Sequence, residues 1–214
     1  MVVNMILYDY CRSSAAYRVR IALNLKHVEY QQVPISLLAG EQRSADYLAR
    51  NPQGLVPALQ DGELLLTQSL AICEYLDETC VNAQPLLPEN SGDRAIVRAM
   101  AQLVACDIHP VNNLRMLNYL VSELGASDAQ KTQWYRHWIY QGFNALEQTL
   151  SDTAGEYSFG NTVTLADLCL VPQVFNANRF KCNLDSYPNI VRVNENCLKL
   201  RAFADAHPDL QPGA

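Results

Sequence analysis

The sequence predicts an α/β domain followed by an all-helical one. Three observations carry this. The first 80 or so residues alternate short apolar runs with helix-period segments, in the order strand, helix, strand, helix, strand, strand, helix. A proline- and glycine-bearing stretch, Asn82–Gly92 (NAQPLLPENSG), then interrupts the chain. Everything after it has helical periodicity. A βαβ unit followed by a ββα unit is the thioredoxin-like arrangement. The expected organisation is residues 1–83 as the thioredoxin-like domain, 84–92 as a linker, and 93–214 as the helical domain.

Met5–Tyr8 is short and apolar, as a buried strand requires. From Ser14 the period changes. Ala15, Val19, Ala22 and Leu23 share one helical face, which leaves Arg18, Asn24 and Lys26 to face outward. Tyr30–Pro34 (YQQVP) reads as a second strand, and Ser44–Arg50 as a short helix before the turn Asn51-Pro52-Gln53-Gly54. Val56–Leu59 and Glu63–Leu66 flank Asp61-Gly62, a hairpin signal. Ser69–Leu76 is a helix that offers Leu70, Cys73, Tyr75 and Leu76 for burial.

In the second part, Arg94–Leu120 reads as a long helix that Pro110 should kink, or break at His109. Gln130–Leu150 carries Trp134, Trp138, Phe143 and Leu146 at near-helical spacing, an expected core stripe. Thr164-Leu165-Ala166-Asp167 is a capping box ahead of the apolar run Leu168–Val171, with Val163 and Leu168 at the staple positions.

Composition narrows the class of function. With 49% hydrophobic and 18% charged residues the chain reads as globular, and 214 residues can bury a real core. A net charge of −6 gives no argument for nucleic acid, and an anionic substrate would need a local basic pocket. Seven scattered cysteines show neither Cys-x-x-Cys nor zinc-ligand spacing, so no metal is expected; they read as thiols in a reducing compartment. The start, MVVNMILYDY, lacks the basic and small-residue features of a signal peptide, and no apolar run nears the ~18 residues that would span a bilayer. A cytoplasmic protein with no membrane partner is expected.

Three places could host ligand chemistry. The first is Cys11-Arg12-Ser13-Ser14, a Cys-x-x-Ser turn entering a helix. Helix N-termini favour anions and lower thiol pKa values. Ser13 and Ser14 could therefore hold a sulfur, or simply cap the helix. Cys11 is either a thiolate or an apolar strand-end residue. The second is Val56-Pro57 with Gln68-Ser69: a candidate cis-proline segment able to pair with a peptide-like ligand, and a helix start ready for a carboxylate. The third is the proline-interrupted stretch Asp107–Arg115, where His109, Asn113 and Arg115 are either ligand contacts or polar residues of a kink. His27, His137 and His207 have no partner pattern. Arg179 after an apolar helix is by itself an ordinary surface or capping charge.

These residues carry a resemblance over nearly the whole chain. CRSSAAYRVRIALNLK, NPQGLVPAL, LLTQSLAICEYLDE, CDIHPVNNLRMLNYL, TVTLADLCLVPQVFNANRFK and HPDLQPG are similar to segments of the zeta-class glutathione transferases. The resemblance implies the glutathione transferase fold, glutathione as cofactor, a homodimer, and an isomerase. The reaction implied is cis–trans isomerisation of maleylacetoacetate to fumarylacetoacetate, a step of tyrosine and phenylalanine catabolism. It assigns Ser13 to the glutathione sulfur with Ser14 beside it. Gln42, Val56, Gln68 and Ser69 become glutathione contacts, with Val56 ahead of a cis-Pro57 and Gln68 and Ser69 at the γ-glutamyl end. His109 and Asn113–Arg115 become contacts from the helical domain, and Arg12 and Arg179 hold the substrate carboxylates. Arg12 also joins Ser13 and Ser14 as a catalytic candidate.

Two positions depart from the pattern. Ala15 replaces the usual cysteine after the two serines, and Cys11 stands where relatives are often aromatic. Three other readings remain: a maleylpyruvate isomerase, a thiol transferase or dehydroascorbate reductase using Cys11, and a non-enzymatic module that does not bind glutathione.

Overall fold

A computed structural model describes residues 5–214. Met1–Asn4, where the expected first domain begins and the N-terminal reading starts, lie outside the described residues. The chain divides into two compact units, Met1–Leu86 with Leu200–Ala214, and Leu87–Lys199.

The first unit is built on a four-stranded sheet of order β2-β1-β3-β4. β1 is Met5–Asp9, β2 Tyr30–Pro34, β3 Ala58–Asp61 and β4 Leu64–Thr67. β1 runs parallel to β2 and antiparallel to β3, which pairs antiparallel with β4 across a Gly62-Glu63 turn; Asp61 pairs with Leu64, so the turn falls one residue later than the expected Asp61-Gly62. Helix α1 (Ser14–Leu25) makes the β1–β2 crossover, and α2 (Ala45–Arg50) starts on the Ser44 cap, whose oxygen accepts from the Tyr47 N–H at 3.2 Å. Helix α3 (Ser69–Thr79) closes the unit. This is the expected thioredoxin-like order. The core joins Leu7 of β1, Val19, Ile21 and Leu23 of α1, Leu59 of β3, and Ile72, Cys73 and Leu76 of α3. Ile72 takes the buried position on α3, while Leu70 and Tyr75 are only half-buried.

Two expectations are corrected here. Arg18 and Lys26 do not face outward; both are buried, and Asn24 is half-buried. Lys26 Nζ donates to Asp77 and to the Gln84 carbonyl, each at 2.6 Å, so the start of the expected linker is tied to α1. The segment Leu200–Ala214, expected in the helical domain, belongs to the first unit. The carbonyls of Ala202, Phe203, Ala206 and Gly213 accept from Asn24, Tyr17, Arg20 and Cys11. Those four side chains need acceptors, and the C-terminal segment supplies them.

The second unit is helical throughout: α4 (Ser91–Gln102), a π-helical turn Leu103–Ile108, α5 (His109–Val111), α6 (Leu114–Ser122), α7 (Asp128–Thr153), α8 (Leu165–Arg179) and α9 (Pro188–Leu198). The expected single helix 94–120 is thus divided, and the break spreads over a π turn before Pro110 and a non-helical pair after it. Gly142 on α7 lets the π turn come close, because a Cβ there would lie 2.2 Å from Ile108 Cδ1.

The core stripe of α7 is Tyr135, Ile139, Phe143, Leu146 and Leu150, a run of three- and four-residue steps. Trp134 and Trp138 sit one position out of phase with it and are half-buried, packed edge to face with ring centroids 5.6 Å apart. Phe143 and Leu146 hold their expected places. Helix α8 is buried on all sides. Its capping box forms as read: Asp167 accepts from the Thr164 N–H at 2.7 Å and the Thr164 hydroxyl at 3.1 Å. Asp167 also takes the Ser158 N–H at 2.8 Å, and burial pushes its carboxyl above the usual range.

Gly54 closes the turn before β3 with φ +60°. A Cβ there would lie 2.8 Å from the Gln42 carbonyl oxygen. Gly54→Ala should destabilise the protein by about 2–3 kcal/mol, through the left-handed backbone and the clash together. Denaturant unfolding measures this, and an unchanged midpoint would contradict the account of that turn.

Candidate active site

The sheet register brings the sequence-predicted residues of the first unit to one end. Tyr8 pairs with Ala58, and Ala58 pairs with Thr67. Because β3 opposes both neighbours, residues after Tyr8, before Ala58 and after Thr67 all leave the sheet on the same side. Those segments are the Cys11–Ser14 turn, Val56-Pro57 and Gln68-Ser69. β2 ends there too, with Pro34 beside Asp9. The N-termini of α1 and α3 therefore open at one edge, and their free N–H groups make that edge suited to anionic groups.

At the first helix start, Ser13 is the N-cap of α1, half-buried, and its Oγ accepts from the Ala16 N–H at 3.2 Å. Ser14 is buried, Arg12 is exposed and Ala15 is half-buried. Cys11 is 2% exposed, and its thiol donates to the Gly213 carbonyl at 3.1 Å. That burial and engagement favour Cys11 as a structural thiol over a nucleophile.

The Val56–Pro57 peptide is cis, as expected. Both the Tyr47 hydroxyl and the Asn51 amide donate to the Leu55 carbonyl, at 2.7 and 2.8 Å, which pins the chain just before Val56. Burial pushes the Tyr47 phenol up to about 12, so it stays a neutral donor across the physiological range.

Gln68, the N-cap of α3, has φ 70° and ψ 112°, a left-handed backbone that costs an ordinary residue about 1–3 kcal/mol. Its side chain donates to Gln53 at 3.0 Å and does not cap the helix, so the first turn of α3 stays open. Ser69 is buried and its Oγ accepts from Arg18 at 3.1 Å. Gln42 lies in the 3-10 turn Glu41–Arg43; its Oε1 is buried with no hydrogen-bond partner among the described residues. A buried acceptor of that kind calls for a donor.

The remaining candidates lie in the second unit. His109 opens α5 and is half-buried. Asn113 is the N-cap of α6 and accepts from the Arg115 N–H at 3.0 Å, while Arg115 itself is exposed. Asn112 is buried instead, donating to the Tyr135 carbonyl at 3.1 Å. Arg179 ends α8, exposed, with its guanidinium carbon 5.8 Å from the Phe175 ring centre. Sequence reasoning missed the π-helical turn before His109, although such turns are frequent at functional sites. Pro110 was the only signal near it.

A thioredoxin-like sheet with a serine at the first helix start, a cis-proline segment and a second open helix start defines a class of thiol-binding proteins. Comparison with known proteins makes this specific. The glutathione S-transferase N-terminal domain matches residues 3–78, and the C-terminal domain of that family matches residues 114–204. A probable maleylacetoacetate isomerase of Vibrio cholerae is 52% identical, with all of both chains aligned. A maleylpyruvate isomerase of Ralstonia is 46% identical over 97% of this chain and 99% of its own. Among solved structures, a bacterial zeta-class maleylpyruvate isomerase superposes with a TM-score of 0.95 at 45% identity, covering 98% of this chain and 99% of that one. The maleylacetoacetate isomerase of Methylobacterium extorquens AM1, solved with malonate and GSH bound, has a TM-score of 0.94 at 44% identity, with coverage of 98% and 99%. The chain belongs to the glutathione S-transferase family, within its zeta class.

Proposed function

We propose that this protein isomerises maleylacetoacetate to fumarylacetoacetate with glutathione as cofactor. One observation carries the reading: the Ser13 turn, the cis-Val56–Pro57 segment and the Gln68–Ser69 helix start leave the sheet on one side. The Gln42 oxygen, unpartnered among the described residues, and the open first turn of α3 fit a ligand that offers both N–H donors and a carboxylate.

Glutathione, when bound, supplies a thiolate that adds reversibly to the double bond, so that the bond can rotate before the thiolate leaves. The chain's part is electrostatic. The Ser13 hydroxyl donates to the sulfur, and the N-terminus of α1 favours its ionised form. Ser14 stands beside it. Val56 pairs with the tripeptide backbone, Gln68 and Ser69 take its γ-glutamyl end, and Gln42, His109, Asn113 and Arg115 complete the glutathione contacts. Arg12 and the α1 dipole stabilise the negative charge that develops on the substrate's carbonyl oxygen. Arg12 and Arg179 hold the two carboxylates, which answers how an acidic protein attracts a dianion.

Turnover of maleylacetoacetate and maleylpyruvate, compared side by side, tests the reading. Preference for maleylacetoacetate supports it. Preference for maleylpyruvate would favour the second reading, which the Ralstonia relative motivates. Arg179→Ala should raise the KM for the diacid by roughly 10- to 100-fold, the loss of one charge-assisted contact. An unchanged KM would make Arg179 a surface residue. Cys11→Ser should leave isomerisation intact, because serine keeps a donor for the Gly213 carbonyl. Loss of isomerisation would return Cys11 to the centre of the chemistry. The seven free thiols fit a cytoplasmic location. A homodimer is the assembly proposed.

A further inference from the structure

We propose that two buried arginines of α1, Arg18 and Arg20, are positioning residues that each set one end of the glutathione site. The inference rests on the reading that Ser13 holds the sulfur and Ser69 the γ-glutamyl end.

Both arginines are at most 1% exposed. They stand two positions apart on α1, about 200° around the helix, and so reach in different directions. Arg20 reaches the sulfur end. Its Nη2 donates to the Cys11 carbonyl at 3.0 Å, within the turn that presents Ser13. The same guanidinium holds Asp9 through Nη1 at 2.7 and 2.9 Å and the Ala206 carbonyl through Nε at 3.1 Å. Three segments are thereby fixed by one planar group: the end of β1, the serine turn and the C-terminal segment. Arg18 reaches the other end, where Nη1 donates to Ser69 Oγ at 3.1 Å, at the open start of α3.

Both groups lie beneath the surface, so they act through the residues they hold. A site works when its contacting groups are locked by the shell behind them. A guanidinium fork can satisfy several acceptors in one plane; an ammonium on a flexible stem cannot. Arg20→Lys and Arg18→Lys therefore keep the charge and lose the fork.

The test uses the full-length variants, shown to be folded by a cooperative thermal melt, with glutathione alone. Calorimetry gives its Kd, and ultraviolet thiolate absorbance against pH gives the pKa of the bound thiol. Arg20→Lys should raise the bound-thiol pKa by about one unit while Kd changes little. Arg18→Lys should weaken binding roughly tenfold with the bound-thiol pKa unchanged. The split between the two readouts is what general loosening would not produce. If Arg20→Lys does not fold, the double variant Asp9→Asn/Arg20→Gln removes both buried charges together and takes the same measurement. Folded variants with wild-type Kd and wild-type thiol pKa would overturn the inference, as would both variants moving both readouts alike. A wild-type protein that does not bind glutathione would overturn the underlying reading and this inference with it.

Discussion

Replacing Ser13 with alanine is expected to lower turnover on the order of 10²-fold or more, the usual effect of deleting one preorganised donor to a developing anion. On the proposed reading Ser13 has two jobs at one position. Its Oγ accepts from the Ala16 N–H and so caps α1, and its own hydroxyl hydrogen remains available to a sulfur. The cap contributes about 1 kcal/mol to stability. The two roles separate by experiment. Ser13→Gly should keep most of the helix start, because glycine is tolerated at N-caps, yet lose the donor. Both variants should therefore be slow, while only alanine costs noticeable stability. Steady-state kinetics and thermal unfolding on the two proteins check this, and wild-type turnover in either would remove the hydroxyl from the chemistry. Ala15 leaves no thiol directly after the two serines, so a mechanism through a protein cysteine at that position is unavailable to this chain.

Asp9→Ala should be the most damaging single change to stability, at about 3–5 kcal/mol. Asp9 is 1% exposed and accepts from Arg20 twice and from the Gln32 amide. Removing the carboxylate strands a guanidinium that is 0% exposed. The penalty is the desolvation of an unpaired charge more than the loss of the pair itself. Equilibrium unfolding in denaturant measures it. The double variant Asp9→Asn/Arg20→Gln should recover part of the loss, since neither partner is then left charged. A cost under about 1 kcal/mol for Asp9→Ala would mean that water reaches Arg20, and that the buried pair behaves like a surface one.

What the sequence made legible is what is decided locally. The Thr164–Asp167 box and the cis-Val56–Pro57 bond each depend on residues within a few positions of one another, and each is found where it was read; the hairpin turn falls one residue past its Asp61-Gly62 signal, and the Ser44–Arg50 helix forms as Ala45–Arg50 with Ser44 as its cap. The three candidate segments of the first unit were legible for the same reason, and the strand order then places them at one sheet end. Arg18, Arg20 and Lys26 were not. Arg18 and Lys26 reach Ser69 and Asp77, each 51 residues away, and Arg20 reaches the Ala206 carbonyl 186 residues away as well as Asp9 on the neighbouring strand, so no local period shows that these charges are satisfied inside. The pattern rule that sends charges outward fails wherever distant acceptors converge. The Arg20–Ala206 contact, with those of Cys11, Tyr17 and Asn24, explains why the last fifteen or so residues join the first unit although their own pattern is helical. Trp134 and Trp138 misled in another way. Large aromatic residues mark a helix face, but a one-position phase error moves them to its flank, where Trp134 donates to the Val111 carbonyl at 2.8 Å. Residues His109, Asn113 and Arg115 were candidates from the proline-interrupted stretch, but only the family resemblance chose a ligand role over a solvated kink; Arg179 was nameable only through that resemblance.

The central claim is that the reacting sulfur belongs to glutathione and is returned at each cycle. The direct measurement is progress of maleylacetoacetate isomerisation with glutathione at a small fraction of the substrate concentration, with free glutathione quantified before and after. The account predicts many turnovers per glutathione, no net consumption, and no isomerisation when glutathione is omitted. Isomerisation that proceeds without glutathione, or that stops once one equivalent has been consumed, would contradict it.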